Sequence, residues 1–139
     1  MRGSSRPERV LLDGAGLCRE LVPEGSVYAF LADHRGGLFS DGMFCDLFPS
    51  GRGRPSIPAD VMASAMTLKE LGGLSDREAA DALRCDIRWK VACGLALDDE
   101  GPHYTVFTYW RQRLARLERP HRIGEAITEV VEAMGVLAG

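Results

Sequence analysis

The chain has 139 residues, a size at which one domain buries a core without disulfides or a structural metal. Its composition, 45% hydrophobic and 27% charged with 16 glycines and 7 prolines, excludes a wholly disordered or collagen-like chain. A net charge of −3 excludes the simplest nucleic-acid signature, a strongly basic domain, but says nothing against a basic face.

No apolar run reaches the roughly 20 residues of a membrane span, and residues 1–10 lack the apolar stretch of a signal peptide. A soluble intracellular protein with no membrane partner is expected. The four cysteines, Cys18, Cys45, Cys85 and Cys93, contain no C-x-x-C pair, and His34, His103 and His121 stand far from them in sequence. Buried, reduced thiols are expected, with neither metal nor cofactor.

In chain order, residues 1–57 are punctuated by Gly, Pro and Ser, leaving room for short elements only. Val27, Phe30 and Leu31 predict a helix over Pro23–His34, stopped by Gly36-Gly37. Phe39, Met43, Phe44, Leu47 and Phe48 form an apolar patch expected to pack on the helices that follow. Residues 58–139 are helical and fold with the irregular segment as one domain. Pro58 suits a first helical turn, Val61, Met62, Ala65 and Leu68 fall on one apolar stripe, and Gly72-Gly73 ends that helix. Ser75-Asp-Arg-Glu78 reads as a capping box, with Leu74 placed for a staple to Ala79, and its helix runs to about Leu83. Asp86 caps a short helix from Ile87 to about Cys93, closed by Gly94. Thr105 is the expected cap of a helix from Val106 to about Leu117. Pro120 precedes a last helix carrying Ile123, Ala126, Ile127, Val130, Met134 and Leu137. The expected class is all-α: a helix-turn-helix-like helical bundle with an irregular N-terminal third.

The carboxylates sit at helix starts or solvated positions, and Asp98-Asp99-Glu100 reads as a solvated turn, so no catalytic residue and no metal site is assigned. Charge distribution says more. Residues 105–122 hold five arginines, Arg111, Arg113, Arg116, Arg119 and Arg122, against Glu118, a local charge of +4, whereas residues 123–139 hold three Glu and no Lys or Arg.

Projected at about 100° per residue, Val106, Phe107, Trp110, Leu114 and Leu117 share a face to be buried. Thr105, Thr108, Tyr109, Gln112 and Arg116 share the other, either a solvated face or a set of side chains suited to base edges and phosphates. Ser75–Gly94 offers a second arrangement, helix, tight break, helix, which would place Arg88, Trp89 and Lys90 on a short reading helix. The longer, more basic helix is the stronger candidate, with Thr108, Tyr109, Gln112 and Arg116 toward the groove and Arg111, Arg113 and Arg119 neutralising phosphates. Arg52-Gly-Arg54-Pro55 is either a lead-in loop or a minor-groove arm of the AT-hook kind.

Gly53-Arg-Pro-Ser-Ile-Pro58, Leu71-Gly-Gly-Leu-Ser-Asp-Arg-Glu78, Ala82-Leu-Arg-Cys-Asp86, Gly94-Leu and Thr105-Val-Phe-Thr-Tyr-Trp-Arg-Gln-Arg-Leu114 occur in a fixed order. That series, over about residues 38–117, resembles the N-terminal domain of bacterial insertion-sequence transposases of the InsH-like kind. The resemblance implies a cytoplasmic, nucleoid-associated protein that binds double-stranded DNA at an element's terminal repeats. A protein-interaction module that uses the apolar Phe39–Phe48 patch and the last helix to self-associate or to join a separately encoded catalytic half is the rival reading. In such transposases an RNase H-like domain with Asp, Asp and Glu follows; 139 residues end before one could begin, so the expectation is a non-enzymatic remnant, split-gene half or isolated domain.

Overall fold

The computed structural model describes residues 18–39, 43–44, 57–117 and 119–138. Six α-helices and no strand occur among them: α1 (Val27–Leu38), α2 (Ala59–Gly72), α3 (Asp76–Cys85), α4 (Ile87–Cys93), α5 (Tyr104–Ala115) and α6 (Arg122–Ala138), with a 3-10 turn at Arg19–Leu21. The class is all-α, as the periodicity predicts.

The centre of the fold is α2. The apolar stripe expected on it is in fact a buried girdle, since all residues from Val61 to Leu68 are buried. Packing explains the difference, because α1, α3, α4 and α6 all contact this helix. Ser64 and Thr67 survive there by returning their hydroxyls to the carbonyls of Asp60 and Ala63, at 2.7 and 2.9 Å, so no polar group is left unmet. Gly73, at φ +64°, closes α2 in the left-handed conformation, and the Leu74 amide donates to the Lys69 carbonyl as in a Schellman motif.

The capping box of α3 forms as predicted. The Glu78 amide donates to Ser75 Oγ at 3.1 Å and the Ser75 amide to Glu78 Oε1 at 2.9 Å, a cap worth about 1 kcal/mol. Leu74 is half-buried and packs against the main core. The Asp86 carboxylate caps α4 by accepting from the Arg88 amide, and Gly94 at φ +79° ends it.

Three expectations need correction. Gly36-Gly37 does not stop α1, which runs on to Leu38; α1 packs on α4, and the buried Phe39 anchors its end, which outweighs the helix propensity lost at two glycines, about 2 kcal/mol. Thr105 lies inside α5, whose cap is His103: Nδ1 accepts from the Thr105 amide at 3.3 Å. Of the described cysteines, Cys18 and Cys93 are buried but Cys85 is exposed at the end of α3. Burial pushes the Cys93 thiol up to about 12, consistent with an inert core residue.

The core joins Leu31, Phe39, Phe44, Met62, Leu83, Trp89, Phe107, Trp110 and Val130 in one cluster. Phe44 lies between Phe39 and Trp110, with centroid distances of 6.3 and 5.5 Å, so this part of the apolar patch packs on the helices as expected. Phe39 and Phe44, both buried, are therefore not the partner surface that the rival reading expects. Leu47 and Phe48 lie outside the described residues.

Candidate nucleic-acid interface

Helix α5 divides into three stripes. Phe107, Trp110 and Leu114 are buried, with Val106 and Leu117 half-buried beside them, as the projection predicts. A second stripe, Tyr104, Thr108 and Arg111, faces the start of α3. There the Asp76 carboxylate accepts from the Thr108 hydroxyl and from Arg111 Nη2, both at 2.7 Å. Arg77 lies over the Tyr104 ring, its Cζ 4.0 Å from the centroid, and donates to the Tyr104 hydroxyl at 2.7 Å. Thr105, Tyr109 and Gln112 make up the third stripe, which Arg116, the C-cap residue just past the end of α5, continues; all four are exposed.

The site residues read from sequence are therefore not equivalent. Tyr109, Gln112 and Arg116 are exposed and make no side-chain hydrogen bond or ion pair among the described residues; Tyr109 keeps 49% of its surface. The Thr105 hydroxyl meets His103 Nδ1 at 2.9 Å. Thr108 and Arg111 are engaged with Asp76, Arg119 pairs with Glu125 at 2.7 Å, and Arg113 is half-buried. Arg122, counted above with the basic stretch, is buried, donating to the carbonyls of Met43 at 2.6 Å and Arg119 at 2.8 Å. Arg52 and Arg54 lie outside the described residues.

Asp76, His103 and Arg77 are the residues that sequence reasoning missed at this face. Burial pushes the Asp76 carboxyl upward, but Thr108, Arg111 and Lys69 together hold it below its ordinary value. Thr108 and Arg111 lie more than 30 residues away in sequence, so no local signal marks the pairing.

A family model described as Transposase domain (DUF772) matches residues 18–113, well over half of the chain. The chain belongs to this transposase-domain family. The match takes in α1, which the motif series does not reach, and stops within α5. No curated protein and no solved structure matches the chain.

In this transposase domain α4 does not offer a reading face. Trp89, Lys90, Val91, Ala92 and Cys93 are all buried, five of its seven residues. The Lys90 ammonium donates to the Asp99 carbonyl, tying down the loop that leads to α5, and burial lowers its pKa. Arg88 remains exposed but is committed to Asp86 at 2.7 Å. At the head of α5 a shallow cleft of about 450 Å³ is lined by Arg77, Arg84, Glu100, His103 and Tyr104. Among the described residues no group of three or more His, Cys, Asp or Glu is arranged to hold a metal, and no helix is long and apolar enough to cross a membrane.

Proposed function

We propose that this transposase-family domain binds double-stranded DNA and that the outward stripe of α5 reads it, with an element's terminal repeats as the target. The observation that carries the reading is the contrast along this stretch: Thr108 and Arg111 are satisfied inside the protein, while Tyr109, Gln112 and Arg116 present a phenol, an amide and a guanidinium to solvent. An amide and a guanidinium at helical spacing on an exposed helix have the donor and acceptor sets that recognise adenine and guanine edges. Thr105 sits at the head of the same stripe. Arg113 and Arg119 flank it as candidate phosphate contacts, Arg119 by exchanging the exposed Glu125 carboxylate for a phosphate, and Arg52 and Arg54 are candidates for a minor-groove arm. The domain acts without catalysis of its own.

Fluorescence anisotropy on duplexes selected from a random pool tests this. Arg116→Ala should weaken binding to the selected site by about 1–3 kcal/mol and relax preference at one base position. Equal, sequence-independent binding by both proteins would remove the assignment.

A protein-interaction role has its own supporting observation: α6 exposes Val131, at 53%, beside Glu129 and Glu132, and Arg119 is already spent on Glu125. Light scattering with and without duplex separates the readings. A salt-insensitive dimer that ignores DNA would favour an assembly module over a DNA reader.

A further inference from the structure

We propose that Asp76 is a specificity-determining residue of this interface: its carboxylate occupies an anion cradle with the donor set of a DNA backbone-phosphate site. The proposal rests on the DNA-binding reading above.

Three donors from two helices converge on this carboxylate. Oδ2 accepts from the Thr108 hydroxyl and from Arg111 Nη2, both at 2.7 Å, and the Lys69 ammonium stands 3.6 Å from Oδ1. Hydroxyl, guanidinium and ammonium are the groups by which proteins hold phosphate oxygens. A carboxylate matches them incompletely: Oδ1 is buried and accepts no hydrogen bond, and Lys69 stays beyond hydrogen-bond reach of it. A phosphate group has the further oxygen that such a donor set accommodates.

The cradle adjoins the proposed reading stripe, since Arg111 precedes Gln112 and its side chain is 52% exposed, whereas that of Asp76 is only 15% exposed. With Asp76 in place, Arg111 is neutralised from within and adds little to sequence-independent attraction. Discrimination then falls to Gln112 and Arg116. Asp76 thus trades general affinity for selectivity, acting through Arg111 and not by touching DNA.

The test uses the full chain as wild type, Asp76→Ala, Asp76→Asn and Asp81→Asn, the last removing an exposed carboxylate from the same helix. Far-UV circular dichroism checks folding, and Asp76→Asn serves if Asp76→Ala does not fold. Inorganic phosphate at constant ionic strength should raise the melting temperature of Asp76→Ala more than that of wild type, and adding Arg111→Gln should abolish the gain. On random-sequence duplex, both Asp76 variants should bind roughly 3- to 10-fold tighter at about 0.1 M salt, with a salt slope steeper by about 0.9. Their ratio of selected to random affinity should fall. An equal gain from Asp81→Asn would reduce the effect to net charge and overturn the proposal, as would Asp76 variants with an unchanged salt slope. If no protein in the set binds DNA, the DNA reading fails by itself. The phosphate titration then still decides whether the cradle exists.

Discussion

The Arg35 guanidinium fills the space that a β-carbon on Gly94 would need, with Nη2 2.5 Å from that position. Arg35 reaches there from α1 to donate to Asp60 on α2 and to the Ala92 carbonyl of α4, each at 3.0 Å. One side chain thereby ties three helices at the point where α4 ends in a left-handed residue.

Gly94→Ala should therefore cost more than a left-handed alanine alone. About 1–2 kcal/mol comes from the backbone and about 1–3 kcal/mol from displaced Arg35 hydrogen bonds. Gly73→Ala has the same backbone demand, with φ +64°, but open space around it, and should cost only the first part. Urea unfolding of both variants checks the difference, and equal losses would contradict the steric account.

Acid should unfold the domain through carboxylates that are better held in the folded state. Asp76, half-buried but held by Thr108 and Arg111, Glu78, held by the Ser75 amide, and Asp86, held by Arg88, all have lowered pKa values. Folded groups with lowered pKa contribute stability that is fully present above the ordinary values of 3.8 and 4.5 and lost as pH falls through the folded ones. Asp76→Asn should be less stable than wild type at neutral pH and show a flatter decline between about pH 5 and about pH 2. Unfolding midpoints over that range measure it; parallel curves would show that Asp76 has no part in the acid transition.

His103 is a weak cap, with Nδ1 accepting the Thr105 amide at 3.3 Å. His103→Asp should stabilise the domain by about 0.5–1 kcal/mol, since Asp is a preferred cap and favours the helix dipole. The same change should weaken DNA binding, because it puts a negative charge at the head of the reading stripe. Thermal unfolding and anisotropy give the two signs separately.

Arg122 and Arg116 should behave oppositely. Arg122→Met removes a buried donor from the carbonyls of Met43 and Arg119 and should cost about 1–3 kcal/mol of stability. Arg116→Ala, on an exposed and unpaired residue, should change stability by no more than about 0.5 kcal/mol while impairing binding. Paired unfolding and binding curves distinguish a structural arginine from a reading one.

Sequence made the local features of the fold legible because their determinants are local. The Ser75–Glu78 box, the Asp86 cap and the stops at Gly73 and Gly94 are each written within a few residues. The buried face of α5 followed from spacing alone. What stayed hidden depends on partners distant in sequence: Arg122 looks like a surface cation until Met43 is brought to it, and Asp76 looks like a first-turn helix acid until Thr108 and Arg111 close on it. The girdle of α2 was hidden for the same reason, because four other helices cover sides that a single stripe would leave in water.

Backbone amide shifts of the isotope-labelled chain, followed while a selected duplex is titrated in, test the central claim most directly. The largest changes should fall on Thr105, Tyr109, Gln112 and Arg116, with small changes in α4 and along Glu125–Glu132 of α6. Changes confined to α6, with α5 silent, would contradict recognition by α5.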